Sequence, residues 1–448
     1  MQSCRDVSFH GDSYDLIEIG NQCWFAENLR TTRFANGDSI PRLVATRDWA
    51  NTSNSATVQQ YLAPLPGDMK RLPAEYGSVY NWYAVKDSRN VCPDGFHAAT
   101  NYDWNELIDS LGGQLAAGIK LRRSEDWGMG NREENSNTEN QWNASGFSAL
   151  PITAKGKVDS AAYSMTSNGH YWSMTSSLNG KAWAQRLNSR LPSIERTEED
   201  KYMGFAVRCV RDSEDGCNPA TYHDYTYDVT KIGDACWFAE NLRAKKYRDG
   251  SRIGTARTLE GWYSNLHDNP KWVAYENDEQ AYSQYGLLYQ YTSIYRGKNI
   301  CPSGWHQSKD DDWINLEGEL GIHEEDALTW GDRGTRLLDS GDSLKSIYGW
   351  PSVHTDPLAF NALPAGFRNT VLKKRRKGYP QIDLEGNRDG LRSGDFFGIG
   401  SHALWWRGYV SSDPLFSRIT SPKGTGISRH TTHESNACSI RCVLDKTE

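Results

Sequence analysis

The sequence predicts an α+β fold in two tandem domains, each loop-rich, with short antiparallel strands, few helices and disulfide ties. Three observations carry this expectation. The chain has 448 residues, and one hydrophobic core rarely grows past ~250–300 residues. A long block recurs at roughly half the chain length, the mark of a duplicated unit. Eight of the nine cysteines fall into two matched sets of four. With 40 glycines, six methionines, 24% charged and 37% hydrophobic residues, the chain reads as globular and loop-rich, not as a helical bundle or a disordered chain.

The repeat fixes the organisation. Ile19-Gly20-Asn21-Gln22-Cys23-Trp24-Phe25-Ala26-Glu27-Asn28-Leu29-Arg30 returns as Ile232-Gly233-Asp234-Ala235-Cys236-Trp237-Phe238-Ala239-Glu240-Asn241-Leu242-Arg243. Tyr76-Gly77 and Tyr80 return as Tyr285-Gly286 and Tyr289, and Val91-Cys92-Pro93-Asp94-Gly95-Phe96-His97 as Ile300-Cys301-Pro302-Ser303-Gly304-Trp305-His306. Trp104 matches Trp313, and Phe147, Ala149, Leu150 and Pro151 match Phe360, Ala362, Leu363 and Pro364. The copies close on Val207-Arg208-Cys209-Val210 and Ile440-Arg441-Cys442-Val443. The domains are therefore expected at 1–212 and 213–448, with Ser213-Glu214-Asp215-Gly216 as a polar linker.

Within each copy regular structure is sparse. Trp104, Leu107, Ile108 and Leu111 recur at helical spacing after Thr100, and Trp313, Leu316 and Leu320 do so after Asp310-Asp311-Asp312. The closing segments alternate as strands, with Phe205, Val207 and Cys209 on one face, and Ile440 and Cys442 on one face. The remainder reads as loops and short strands.

Matched cysteines point to disulfides and an oxidising compartment. Cys4 and Cys23 are spaced as Cys217 and Cys236 are, and Cys92 and Cys209 match Cys301 and Cys442. Each set of four allows three connectivities. The expected one is Cys4–Cys23, Cys92–Cys209, Cys217–Cys236 and Cys301–Cys442, which ties a hairpin and joins the pre-helix strand to the last strand. Cys438 stands where copy one has Phe205. On one continuous strand it would lie ~13 Å from Cys442, too far to bond, so it is expected as a free core thiol. A zinc site is disfavoured because no CxxC pair occurs and His97 and His306 do not complete a ligand set.

Charge narrows the classes further. A net charge of −7 and a pI near 5.9 argue against a basic nucleic-acid binder. No apolar run approaches the ~20 residues that span a bilayer. Met1-Gln2-Ser3-Cys4 shows no signal-peptide core, so the expected location, extracellular or cell surface, assumes that this chain is a mature fragment.

The ordered set of Ile-Gly-x-x-Cys-Trp-Phe-Ala-Glu-Asn-Leu-Arg, Tyr-Gly-x-x-Tyr, Cys-Pro-x-Gly-Phe/Trp-His, Gly-Phe-Ser-Ala-Leu-Pro and a terminal Val-Arg-Cys-Val resembles the Fibrobacter succinogenes major paralogous domain family. Both copies carry the order. The second departs at Ala359-Phe360-Asn361, which replaces Gly146-Phe147-Ser148, and at Trp405-Trp406-Arg407, aligned with Trp172-Ser173-Met174. The resemblance implies a C-type-lectin-like fold related to that of the formylglycine-generating enzyme, and secreted or surface proteins. It implies no general activity.

Candidate sites follow. Glu27 and Asn28 could contact a ligand or metal, but a shared block suits a core role better: Trp24 and Leu29 buried, Glu27 and Arg30 satisfying the backbone or each other. A calcium site could use Asp383, Glu385, Asn387 and Asp389, which alternate, although Arg388 stands where an EF-hand needs glycine. Lys373-Lys374-Arg375-Arg376-Lys377 is a compact basic run, more often a solvated loop than a polyanion site. Two sequons, at Asn51 and Asn143, are near chance in number. In C-type-lectin-like folds the late segments present the ligand face, so Trp183, Trp406 and Arg407 are expected as surface anchors, with Trp172 and Trp405 as further ligand-binding candidates, although one tryptophan of each copy is expected in the core. The cysteine-dependent oxidase chemistry of the fold relative needs a reactive cysteine pair, and here the cysteines look committed to disulfides. The expectation is a non-catalytic recognition protein for carbohydrate or protein ligands, without a required cofactor. The alternative is a self-assembling subunit of a fibre, envelope layer or virus particle.

Overall fold

The shared block folds as a hairpin because a left-handed glycine separates two short apolar runs. The computed structural model describes residues 4–42, 56–60, 76–123, 126–127, 141–152, 167–177, 180–264, 268–295, 298–329, 331–333, 341–346, 350, 356–368, 396–407, 416–420 and 426–446. In it Leu16–Ile19 (β1) pairs antiparallel with Gln22–Phe25 (β2) across Gly20-Asn21, with Gly20 at φ 62°. Next come Ser78–Tyr80 (β3), Phe96–Ala98 (β4) and helix α1 (Asn101–Ser110). Three longer strands follow, Asn168–Ser176 (β5), Lys181–Asn188 (β6) and Ile194–Asp200 (β7), before the closing strand Cys209–Arg211 (β8). The closing strand enters the middle of a four-stranded sheet, in the order β1-β2-β8-β4, while β5, β6 and β7 form a separate antiparallel meander.

Helix α1 begins at Thr100. The Thr100 Oγ1 accepts from the Asp103 amide at 3.3 Å, and the Asp103 carboxylate accepts the Thr100 amide at 2.8 Å. Trp104 and Leu107 are buried, as their spacing predicts.

The second copy repeats the order with β9 (Val229–Ile232), β10 (Ala235–Phe238), β11 (Lys271–Val273), β12 (Leu288–Gln290), β13 (Trp305–Gln307) and α2 (Asp310–Glu319). Then come β14 (Ala365–Arg368), β15 (Ala403–Trp406), β16 (Phe416–Thr420), β17 (Ile427–Thr431), β18 (Ala437–Cys438) and β19 (Cys442–Leu444). Its small sheet, β9-β10-β19-β13, has the topology of the first copy's. Asp310, Asp311 and Asp312 form the first turn of α2 rather than preceding it, where carboxylates face the positive end of the helix dipole.

The closing segment of copy one alternates as expected. Phe205, Val207 and Cys209 enter one core cluster, and Ala206 and Val210 the other. In copy two the expected single strand is broken. Cys438 lies on β18, paired with Tyr289 on β12, and Cys442 lies on β19, paired with Gln307 on β13. The chain crosses between two sheets there, so the spacing along one strand does not apply. Cys438 does occupy the place of Phe205, since Phe205 bridges to Tyr80, the match of Tyr289.

Three disulfides have the expected partners, Cys4–Cys23, Cys92–Cys209 and Cys301–Cys442, with Cα separations of 5.7, 5.9 and 5.9 Å. Cys217 and Cys236 are disulfide-bonded as well, with their sulfurs in reach of each other. Cys438 is the free cysteine, fully buried, and burial pushes its thiol far above the ordinary range. A thiol reagent should therefore count none in the native protein and one after denaturation without reductant. The chain divides into compact units at 1–218 and 219–448, not at Ser213.

Candidate functional site

The residues that recur between copies converge on a buried arginine. Arg208 is fully buried and donates Nε–H to Asn28 Oδ1 at 2.8 Å. Its Nη1 reaches the carbonyls of Phe25 (2.8 Å) and Phe147 (2.7 Å), and its Nη2 that of Ser148 (3.2 Å). The guanidinium lies 4.2 Å from the Phe147 ring centre. Arg441 repeats this, with Asn241 at 3.0 Å, the carbonyls of Phe238, Phe360 and Asn361 at 2.7, 2.9 and 3.0 Å, and Phe360 at 4.4 Å. Burial pulls the Arg208 pKa down to about 10 and that of Arg441 to about 9. Asn28 also donates to the Tyr76 carbonyl and Asn241 to that of Tyr285, both at 3.0 Å. The next residues, Gly77 and Gly286, stand at φ 77°, and a Cβ on either would lie 2.7 Å from the asparagine Cβ. Four motifs separated in sequence are thus one structural knot.

The knot bends the Gly-Phe-Ser turn. Gly146 and Ser148 have φ of 73° and 53°, and Ala359 and Asn361 have φ of 49° and 52°. Ala359 therefore holds a left-handed conformation in which its Cβ costs about 1–2 kcal/mol. Ala359→Gly is expected to stabilise the second unit by up to about 1 kcal/mol, read as a higher urea midpoint at an unchanged slope.

Glu27 and Asn28 are framework. Glu27 accepts the Asp15 amide at 3.2 Å and pairs with Arg30, and Glu240 does the same with Asp228 and Arg243. Trp24 and Leu29 are fully buried.

A second repeated cluster was not visible in the sequence. His97 Nδ1 lies 2.7 Å from Asp212 and Nε2 3.1 Å from Asp103. His306 sits likewise between Asp445 (2.6 Å) and Asp312 (3.0 Å). Burial alone would lower the His97 pKa, but Asp103 and Asp212 override it and raise it to about 10. The His306 pKa is raised in the same way. Burial would raise the Asp103 pKa, and the facing imidazolium lowers it instead. Each histidine clamps the pre-helix strand to the helix start and to the chain beyond the closing strand. With both ring nitrogens engaged, neither is presented to a metal. Asp215, Cys217 and Cys236 lie within 4.8 Å of one another, but both sulfurs are oxidised and provide no thiolate.

The expected surface anchors are buried. Trp406 is 0% exposed, Trp183 4% and Arg407 4%, which overturns their placement on a ligand face. Trp406 Nε1 donates to the Tyr289 carbonyl at 2.6 Å, as Trp172 Nε1 does to Tyr80 at 2.7 Å. Trp172 thus corresponds to Trp406, and Tyr171, not Trp172, corresponds to Trp405, a one-residue correction. The bridges Tyr171 to Ala206 and Trp405 to Ser439 agree. Trp405 Nε1 donates to Asn241 at 2.9 Å within the arginine knot. The Arg196 guanidinium lies 5.3 Å from the Trp183 ring, and Arg407 pairs with Asp310 at 3.4 Å. Trp172 and Trp405, also named as ligand-binding candidates, are buried in the core as well. Asp383, Glu385, Asn387 and Asp389, and the run Lys373–Lys377, lie outside the described residues.

Half-exposed aromatic groups lie instead on a segment that the copies do not share. Trp272 on β11 faces Tyr289, where copy one has buried Val58 facing Tyr80. Lys245 Nζ lies 5.0 Å from the Trp272 ring centre and pairs with Glu279. Tyr282 meets Tyr275 at 5.2 Å and Tyr285 at 6.4 Å, and its hydroxyl donates to Glu276 at 2.8 Å. Glu276 and Asn277 hold consecutive left-handed conformations, φ 52° and 60°, a strained turn of the kind found at binding loops. Trp272 and Tyr282 remain half-buried, so ring area stays accessible, that of Trp272 beside Lys245 and that of Tyr282 beside Glu276. Sequence reasoning passed over Trp272 because its signal, an aromatic replacing Val58, emerges only from strand register.

No curated protein and no solved structure matches the chain. The family model described as Fibrobacter succinogenes major domain matches residues 17–211 and again 230–444. These spans contain both arginine knots and nearly all of the two histidine clamps, so the chain belongs to the Fibrobacter succinogenes major domain family, as two tandem copies.

Proposed function

We propose that the chain is a non-catalytic recognition protein of the extracellular space or cell surface. Its ligand, a carbohydrate or a protein, docks on the Trp272–Tyr282 face of the second unit. The observation that carries this reading is the accessible aromatic area on an unshared segment, set on a framework that both copies share. Loops on a rigid scaffold are where binding concentrates, and flat rings beside acidic and basic groups suit sugar stacking with hydroxyl hydrogen bonds. The disulfides are compatible with an oxidising compartment, and among the described residues no helix is long and apolar enough to cross a membrane. The C-type-lectin-like fold belongs to this proposal and rests on the resemblance together with the loop-rich build of short, mostly antiparallel strands and few helices. Oxidase chemistry is disfavoured because eight cysteines are disulfide-bonded and Cys438 is buried with a raised pKa.

One observation favours the scaffold alternative. Leu115 and Leu191 are 79% and 42% exposed, and the helix bearing Leu115 hydrogen-bonds the turn beside Leu191 through Ile119 and Pro192. Exposed leucines suit chain–chain contacts. A glycan array with and without calcium, with light scattering on the same sample, separates the readings. Glycan binding by a monomer supports recognition; spontaneous assembly without binding would sink it.

A further inference from the structure

We propose that the second unit holds a small inorganic anion of the chloride class between helix α2 and strands β15 to β17. Arg418, at the centre of β16, is 0% exposed. A guanidinium carries five N–H donors, yet among the described residues only Nε–H of Arg418 makes a hydrogen bond, to Glu317 at 2.7 Å. Its Nη2 lies 2.8 Å from Asp310 Oδ1 but is misaligned, and among the described residues neither Nη1 nor Nη2 has a hydrogen-bond partner. Desolvated N–H groups without acceptors are costly, more so on a charged group. Arg407 and Arg429 converge on the same carboxylate, at 3.4 and 2.6 Å from Asp310 Oδ2. Among the described residues, three guanidinium groups thus meet two carboxylates.

A halide-sized anion accepts several N–H groups at once and offsets positive charge. A water molecule, the neutral alternative, does only the first. The cluster belongs to the second copy alone. In the register Tyr171–Gln185–Arg196 against Trp405–Arg418–Arg429, Gln185 stands at the place of Arg418. Counting along the helices from Trp104 and Trp313, Asn101 and Ile108 stand for Asp310 and Glu317.

The test uses the full chain. Its Tm is measured in sodium chloride and in sodium gluconate at matched ionic strength, and crystals are soaked in bromide for anomalous diffraction. The expected result is a saturable rise of about 2–4 °C in chloride and a bromide peak at contact distance from Arg418 Nη1. Arg418→Gln should abolish the chloride dependence; if that variant fails to fold, the wild-type bromide map decides. Equal Tm in both salts, or density at Arg418 without anomalous signal, as water would give, overturns the proposal.

Discussion

Arg208→Ala is expected to unfold the first unit under conditions where the wild type is native. The side chain satisfies four acceptors, the buried Asn28 Oδ1 and the buried carbonyls of Phe25 and Phe147, and the half-buried carbonyl of Ser148. Each acceptor left without a donor costs about 1–3 kcal/mol. Four of them, with the lost packing on Phe147, match the ~5–15 kcal/mol that holds a domain together. Arg208→Lys keeps the charge but not the planar fork, and should still lose most of the stability. Arg441→Ala should do the same to the second unit. Urea titration followed by tryptophan fluorescence checks this: the variant should lack a native baseline for the affected half of the signal.

His97→Ala is expected to cost about 3–5 kcal/mol, because it leaves the buried Asp103 carboxylate without its cation. The clamp also predicts a pH profile. The folded-state pKa of His97, about 10, lies above the ordinary value of ~6.5. Its contribution is therefore complete below pH ~6.5 and is lost as pH rises toward about 10. His306, raised likewise, acts in the same direction. The Asp103 pKa is lowered, so its contribution is present above the ordinary value of ~3.9 and is lost on acidification. Between pH ~6.5 and about 10 His97 should remove up to about 1.4 kcal/mol per pH unit, and His306 adds to the fall in the same direction. Calorimetry at pH 5.5, 7.5 and 9.5 should show a falling Tm, and His97→Gln should flatten that fall by one histidine's share.

The duplication made much of the frame legible. Cysteines at matched spacings predicted the disulfides, and the Trp104 and Trp313 periodicities predicted the helices. The knot stayed hidden because Arg208 lies 180 residues from Asn28, and no local pattern reports a contact of that kind. The histidine clamps were hidden for the same reason: His97 meets Asp103 nearby but Asp212 across the domain. The anchor assignments failed on physics. The alignment by sequence sets Trp406 against Ser173, one residue out of register, so Trp406 reads as unmatched and therefore as surface, whereas it corresponds to the core Trp172. A core also diverges when Ser173 gives way to Arg407 with Asp310 to receive it. Copy-specific side chains mark either repacked interiors or binding faces, and only burial distinguishes them.

The central claim is that shared residues build the fold and the unshared Trp272–Tyr282 face binds. It is tested most directly by measuring Tm and glycan-array signal together on two variants. Trp272→Ala combined with Tyr282→Ala, at two half-buried positions, should leave a cooperatively folded protein whose Tm falls far less than that of the core variant below, and should abolish the array signal. Trp406→Ala should lower Tm sharply, as a core truncation of about 3–5 kcal/mol does. Retained binding in the double variant, or a collapse of its Tm, would contradict the account.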